Sequence, residues 1–236
     1  MDVYWLEQTD ADLPAENDWL SASETDCLNA MRFPKRRADW RLGRWTAKHA
    51  LAAYRHGPGH REALALLEIR AAPSGAPEAF FSCRPAAVRI SISHRAGRAV
   101  CAIAGSDAAL GCDLELVEPR SEGFLADYFT PEEQALVARA PAADRPALAT
   151  LLWSAKESGL KALRTGLRLD TRSLSVSPNY APRLAGDSDT WHPLLVHHAS
   201  GAFHGWWRKT EGFLFTVVAA PPPAPPVCLE VPVGRF

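Results

Sequence analysis

Residues 151–163, which read LLWSAKESGLKAL, constrain the fold most, because they predict a helix with two faces that both need cover. The first face is an apolar stripe that should pack against a core, formed by Leu151, Leu152, Ala155, Ala162 and Leu163. The second face follows the i, i+3, i+4, i+7, i+8 rule and carries Trp153, Lys156, Glu157, Leu160 and Lys161. Such a mixture of apolar and charged side chains fits the wall of a cleft better than open solvent.

The order of the predicted elements indicates an α+β protein with two similar subdomains, each made of helices packed on a small antiparallel sheet. In the first half, helices at about 16–31 and 34–56 follow a strand at 3–8 and precede strands at 65–73, 80–105 and 109–118. In the second half, helices at about 121–127, 131–140 and 144–164 precede strands near 173–177, 203–209 and 213–219.

These elements predict an N-terminal subdomain at 1–107, a C-terminal subdomain at 108–220 and an extended Pro-rich tail at 221–236. The stretch 177–193 is predicted to be a loop. No repeat is apparent in the sequence itself, so the likeness of the two halves is a structural expectation.

Composition narrows the class of protein. The net charge of −1 provides no basic field for nucleic acid, and no stretch approaches the roughly 18 apolar residues of a membrane span. The N-terminus lacks the layout of a signal peptide. Five scattered cysteines without a CxxC motif favour reduced thiols, and we expect a cytoplasmic protein.

The strand LGCDLELVE (110–118) places Asp113 and Glu115 on one face, since alternate residues of a strand share a face. Neighbouring carboxylates repel each other unless a cation lies between them, and Mg²⁺ prefers such oxygen ligands. Glu157 would be a third ligand if its helix faces this strand, and Lys156 and Lys161 would then hold phosphate oxygens. The alternatives are a solvated or Arg-paired strand face and an exposed Glu157–Lys161 pair.

Two further segments carry candidate phosphate ligands. In VRISISH (88–94), Ser93 and His94 end a strand, where they could donate to phosphate, form half of a nucleophilic dyad or play a structural role. The helix 35–51 aligns four cations on one stripe, which favours an anionic ligand or a solvated basic face. The four are Arg37, Arg41, Arg44 and Lys48.

The motifs SISH, GCDLE, FTPEE and WSAKESGLKA together resemble the 4′-phosphopantetheinyl transferase superfamily, in the surfactin-synthetase-activating type with two halves in one chain. They lie at Ser91–His94, Gly111–Glu115, Phe129–Glu133 and Trp153–Ala162, and the resemblance runs from about residue 31 to 177. It implies two pseudo-twofold-related halves, with the active site in the cleft between them. It also implies transfer of 4′-phosphopantetheine from coenzyme A to a serine of an apo acyl or peptidyl carrier protein, with release of 3′,5′-ADP.

By motif position, the resemblance implies that Asp113, Glu115 and Glu157 bind Mg²⁺ with the diphosphate, Mn²⁺ being a further candidate. Glu157 or a metal-held water would be the base, Lys156 and Lys161 would neutralise phosphates, and Lys161 would assist the departing group. The nucleotide contacts would come from Arg37, Arg44, Lys48, Gly75, Pro77, Ser93 and His94. The family often has Lys at the position of Ala76, and some members have Arg at that of Asp39.

The resemblance leaves the pathway open among fatty-acid, polyketide and nonribosomal-peptide synthesis. We expect a monomer, and we expect the carrier to dock along 116–124, where Arg120 offers a positive charge. The alternative is a catalytically silent module that binds coenzyme A or a carrier protein. A Ser-His hydrolase built on Ser93 and His94 is disfavoured, because no G-x-S-x-G elbow exists and adjacent strand residues point apart.

Overall fold

The computed structural model describes residues 1–57, 63–178 and 188–231, and the chain divides into two compact units. The N-terminal unit comprises Asp2–Ala108 together with the chain from Val227 onward. The C-terminal unit comprises Met1 and Ala109–Pro226. The mixture of helices and sheets is consistent with the predicted α+β class, whereas the pseudo-twofold relation and the cleft stay predictions.

The elements are as follows. The helices are α1 (Ala22–Ala30), α2 (Pro34–His56), α3 (Glu122–Tyr128), α4 (Pro131–Arg139) and α5 (Arg145–Ala162). The strands are β1 (Tyr4–Thr9), β2 (Leu67–Ala71), β3 (Pro77–Phe81), β4 (Arg84–Pro85), β5 (Val88–Arg95), β6 (Arg98–Gly105), β7 (Ala109–Leu116), β8 (Ser175–Pro178), β9 (Ser188–His198), β10 (Gly201–Thr210), β11 (Phe213–Ala220) and β12 (Val227–Cys228).

The N-terminal unit is built around α2, which packs against β1 and β6. Pro34 occupies the first turn of α2, where its missing N–H costs nothing, and Gly57 ends the helix at a φ of 77°. The main sheet has the strand order β12-β1-β6-β5, and β2-β3-β4 form a second sheet. Apolar residues of α2, such as Ala47 and Leu51, are buried against Ile90 and Ile103 of the main sheet.

The C-terminal unit has one antiparallel sheet in the order β7-β11-β10-β9-β8, and α5 packs on β7 and β11. Leu148, Leu152 and Leu160 of α5 belong to its core. The contact between α5 and β7 depends on Gly111, because a Cβ atom there would lie 1.9 Å from the Ser158 carbonyl oxygen. The glycine of the GCDLE motif thus allows the helix to approach the strand that carries Asp113 and Glu115.

Three expectations about chain segments are corrected. The helix predicted from residue 16 begins at Ala22, because the Ser21 side chain caps it. The loop predicted for 177–193 is wrong where it overlaps β8 and the first residues of β9, and residues 179–187 lie outside the described chain. The Pro-rich tail is divided between the units, because β12 pairs in parallel with β1 and Leu229 packs against the N-terminal core.

Two predictions from composition can be compared with the structure. All five cysteines are free thiols, of which Cys101 and Cys112 are buried in strands. None of the helices in the described part of the chain combines the length and apolar character that a bilayer span requires.

Candidate active site

Helix α5 and strand β7 bring together five side chains that the sequence singles out. Trp153 donates its indole N–H to Glu115 Oε1 at 3.0 Å, and Lys161 donates to Asp113 Oδ1 at 2.8 Å and to the Cys112 carbonyl at 2.9 Å. Glu157 lies one helical turn from both Trp153 and Lys161. We call Asp113, Glu115 and Glu157 the acidic cluster, and its members share one face of α5 and the adjoining strand.

The acidic cluster perturbs the ionisation of Glu157. The pKa of Glu157 is raised to about 7 from the usual 4.5, chiefly by burial and next by the charge of Asp113, with a smaller contribution from Glu115, while the charge of Lys161 opposes the shift. Burial, the largest single effect, would lower the pKa of Lys161, but the neighbouring groups, with Asp113 foremost, together outweigh it and the net pKa is raised. Glu157 can therefore exchange a proton near neutral pH, while Lys161 stays cationic.

The chemistry of the acidic cluster suits a hard divalent cation. Glu157 Oε1 is buried and has no hydrogen-bond partner among the described residues, so it is an oxygen available to a cation. Three mutually repelling carboxylates are also a donor set that Mg²⁺ would stabilise. Within residues 1–57, 63–178 and 188–231, however, no three ligands are already arranged as a preformed metal centre.

A buried hydroxyl network, which the sequence reasoning missed, holds α5 against the strands. Ser154 and Ser158 both share hydrogen bonds with the Thr216 hydroxyl of β11, at 2.8 and 2.7 Å. Ser154 also donates to the Asp113 carbonyl at 3.3 Å. The i, i+4 spacing of the two serines on α5 is the sequence signal that could have indicated it. The network locates the backbone of Asp113 relative to the helix.

Lys156 does not join the acidic cluster. Its side chain is 0 % exposed and is paired with Glu133 at 2.8 Å, and it donates to the carbonyls of Thr171 and Leu174. Burial lowers its pKa, although Glu133 opposes the shift. Lys156 is therefore not placed to contact phosphate as predicted. Adjacent residues of a helix point about 100° apart, so Lys156 faces away from the side of α5 that carries Glu157.

The N-terminal unit contains a cavity of about 700 Å³, which we call the basic pocket. Four residues predicted to contact the nucleotide line it, namely Arg44, Gly75, Pro77 and His94. Residues that were not predicted as ligands also line it, among them Phe33, Lys35, Arg36, Asp39 and Trp40. The Arg44 guanidinium stacks on the Trp40 ring at 4.3 Å, and burial lowers the pKa of Arg44.

Most cations of the predicted stripe on α2 donate hydrogen bonds to backbone carbonyls of the protein itself. Arg37 donates to the Leu28 carbonyl at 2.6 Å at the end of α1, and Arg41 donates to the Pro14 carbonyl at 2.6 Å. Lys48 is 0 % exposed, where it contacts Glu24 and donates to the Trp19 carbonyl at 2.9 Å. Of the four, only Arg44 is among the residues that line the basic pocket.

Two other candidate residues differ from their predicted roles. Ser93 is buried within β5 and is not among the residues lining the basic pocket. Arg120 is 14 % exposed and pairs with Glu115 and Glu118, each at 3.2 Å. Arg120 therefore belongs to the surroundings of the acidic cluster, and its charge is already engaged there.

Lys35 and Arg36 are the cations that the reasoning from sequence overlooked on α2. A helical signal for Arg36 was present, because residues 36, 40, 43 and 44 share one face of an ideal helix. Gly43 lies on this face, where an added Cβ would be 3.4 Å from Ile92 and 3.9 Å from the His94 ring. The close approach at Gly43 brings α2 beside the strand end that carries His94.

Comparison with protein-family models bears directly on this site. Residues 109–216, just under half of the chain, match the family model described as the 4′-phosphopantetheinyl transferase superfamily. This segment spans β7 to β11 and contains all five side chains brought together on α5 and β7. No curated relative matches the chain. Residues 109–216 therefore carry a domain of this superfamily, which supports a transferase.

Proposed function

We propose that this protein, whose residues 109–216 carry a 4′-phosphopantetheinyl transferase superfamily domain, modifies an apo carrier protein with the phosphopantetheine of coenzyme A. The carrier serine oxygen would attack the phosphorus that bears the pantetheine. A new P–O bond forms, the P–O bond to 3′,5′-ADP breaks, and the departing ADP takes the bonding electron pair. The observation that carries this proposal is the acidic cluster on α5 and β7, where Glu157 has a pKa of about 7 beside Lys161.

Each side chain of the C-terminal site then has a role. Glu157 is one candidate to accept the serine proton, since a base is most effective with a pKa near the working pH, and a water at the metal is the other, because a carboxylate that holds Mg²⁺ loses basicity. Lys161, held by Asp113, would face the charge that develops on the departing diphosphate oxygen. Asp113, Glu115 and Glu157 would hold Mg²⁺, which when bound supplies charge neutralisation for the diphosphate. Trp153 fixes the Glu115 carboxylate through its indole N–H.

We assign the nucleotide end of coenzyme A to the basic pocket. Lys35, Arg36 and Arg44 would supply positive charge for phosphate groups, and the apolar surfaces of Phe33 and Trp40 would cover the base. Asp39, on the same wall, would repel phosphate and so restrict where the 3′-phosphate lies. The type with two halves in one chain, the monomeric state and the cytoplasmic location stay predictions.

The test is intact mass spectrometry of an apo carrier protein incubated with this protein, coenzyme A and Mg²⁺. The expected result is a mass gain of one phosphopantetheine on the carrier, lost on chelation of the metal and with Glu157→Gln. Glu132→Gln, an exposed carboxylate in the first turn of α4, is the matched control and should transfer normally. Binding of coenzyme A without transfer to fatty-acid, polyketide or peptidyl carriers would replace the proposal with the silent binding module.

A further inference from the structure

The C-terminal unit contains a buried lysine–glutamate pair that connects the N-terminus of one helix, a strand and α5, an arrangement that we call the ionic device. Thr130 caps α4 and forms a capping box with Glu133. Glu133 accepts from the Thr130 N–H at 2.9 Å through one oxygen and from the Val176 N–H of β8 at 2.9 Å through the other. The Lys156 ammonium completes the arrangement by pairing with this carboxylate at 2.8 Å.

The N-terminal unit contains the same device. Ser21 caps α1 and forms a capping box with Glu24. Glu24 accepts from the Ser21 N–H at 3.0 Å through one oxygen and from the Ile69 N–H of β2 at 3.1 Å through the other. The Lys48 ammonium of α2 pairs with Glu24, and both side chains are buried.

The correspondence extends to the sequence. Residues 45–49 of α2 read WTAKH and residues 153–157 of α5 read WSAKE, with the buried lysine at the fourth place of each. In both units the capping acid precedes this helix and the strand N–H follows it, at nearly equal spacing along the chain. The expectation that no repeat is apparent in the sequence is therefore wrong over these five residues.

We infer that Lys156 and Lys48 are positioning residues in a duplicated scaffold, not ligands of the phosphates. Each ammonium fixes the rotation of its helix and its shift along the helix axis, relative to the capped end of the preceding helix and to the strand. In α5 this orients Trp153 and Glu157 toward β7, and in α2 it orients Arg44 toward the basic pocket. The inference deepens the proposed function and rests on it for the catalytic readout, whereas its stability and binding readouts do not.

An ionic device specifies one arrangement more sharply than an apolar contact would. Lys156 satisfies the carbonyls of Thr171 and Leu174 as well as Glu133, so a shift of α5 would leave buried polar groups without partners. A buried pair of this kind is weak evidence for net stability, and registry is its best-attested use. The device therefore acts on the alignment of α5.

The test is a double-mutant cycle of Lys156→Met and Glu133→Gln. Lys156→Met leaves the Glu133 charge buried and unpaired, so we expect kcat for transfer to fall roughly 10- to 100-fold, as for other residues that orient an active site. Glu133→Gln removes that charge but keeps a capping-box acceptor. The double variant should therefore recover most of the lost kcat, with the KM for coenzyme A close to that of the natural protein.

A phosphate ligand would behave differently, and Lys161→Met is the matched contrast. Its loss should raise the KM for coenzyme A, and Glu133→Gln should not restore it. If the Lys156→Met/Glu133→Gln variant stays as impaired as Lys156→Met, with a raised KM, the inference is overturned.

Two readouts decide the case independently of transfer. The first is the urea midpoint, which the double variant should recover relative to Lys156→Met, and the Lys48→Met/Glu24→Gln cycle should repeat this pattern in the N-terminal unit. The second is calorimetric binding of coenzyme A, which the Lys156 double variant should retain. Should Lys156→Met fail to fold, the double variant decides: loss of folding, or a folded protein that binds coenzyme A, supports the positioning role, whereas a folded protein that has lost coenzyme A binding overturns it. Absence of transfer in the natural protein refutes the proposed function but leaves these two readouts valid.

Discussion

Replacing Glu157 by Gln should stabilise the metal-free protein above neutral pH, by an amount that the ionisation of this carboxyl group determines. In the folded protein Glu157 keeps its proton up to a pKa of about 7, whereas the unfolded chain releases it near 4.5. At 1.36 kcal/mol per pH unit, this difference corresponds to about 3 kcal/mol. The folded state binds the extra proton, so the free energy of unfolding falls as the pH rises from 4.5 through 7.

Glutamine keeps the shape of the side chain but does not ionise, so Glu157→Gln should remove this loss. The two proteins should have nearly equal stability at pH 4.5, and the variant should lead by about 3 kcal/mol at pH 8. The assay is urea unfolding followed by tryptophan fluorescence at several pH values in the presence of a chelator. Glu132→Gln is the control and should show no comparable gain that grows with pH, because Glu132 is exposed on α4.

Mg²⁺ should reverse the order of stability. A cation held by the acidic cluster binds the folded state and stabilises it by mass action, and Glu157→Gln removes one of its three ligands. We therefore expect Mg²⁺ at pH 8 to stabilise the natural protein more than the variant. The reasoning would be refuted by a variant no more stable than the natural protein at pH 8 without metal, or by a difference that does not grow between pH 5 and 7.

Three further predictions concern the scaffold and the basic pocket. Gly111→Ala places a Cβ 1.9 Å from the Ser158 carbonyl oxygen, so it should lower the free energy of unfolding by several kcal/mol. The control is Gly123→Ala, whose added Cβ has its nearest neighbour 3.9 Å away, and equal urea midpoints for the two variants would contradict the prediction. Ending the chain at Pro226 removes β12 and the contact of Leu229 with the N-terminal core, so calorimetry should show a lower Tm, and an unchanged Tm would count against a structural role for this segment. Arg36→Ala should weaken coenzyme A binding roughly tenfold or more without loss of stability, because Arg36 lines the basic pocket. Arg37→Ala should destabilise the end of α1 and leave binding intact, because Arg37 binds the Leu28 carbonyl. The opposite pattern in calorimetric titrations would exchange the roles of the two arginines.

Local signals explain why much of the fold follows from the sequence. The bounds of α2 are those predicted, 34–56, because Pro34 and Gly57 mark its ends with strong backbone preferences. Alternation in LGCDLELVE places Asp113 and Glu115 on the same face of β7. In each case the deciding interactions lie within a few residues of one another in the chain.

Contacts between distant segments explain where the sequence misleads. Helical periodicity shows that Arg37, Arg41, Arg44 and Lys48 share a stripe, but it does not show what lies opposite. Three of these cations donate to the backbone carbonyls of residues 14, 19 and 28. The sequence cannot identify such acceptors, because every residue has a backbone carbonyl. Cations without nearby acids along a helix therefore do not by themselves distinguish a bound anion from bound backbone.

The duplicated device offers a way to separate scaffold from chemistry in this chain. Lys48 and Lys156 occupy the same place in the two copies and make the same kind of internal contacts, which indicates a role common to both units. The next residue differs, being His49 in one copy and Glu157 in the other. Burial lowers the pKa of His49 to about 4, so it is neutral at physiological pH, whereas burial raises the pKa of Glu157 to about 7 and leaves it poised to exchange a proton. The same burial thus keeps His49 neutral and lets Glu157 exchange a proton, so the position at which the two copies differ is where we predict the catalytic side chain.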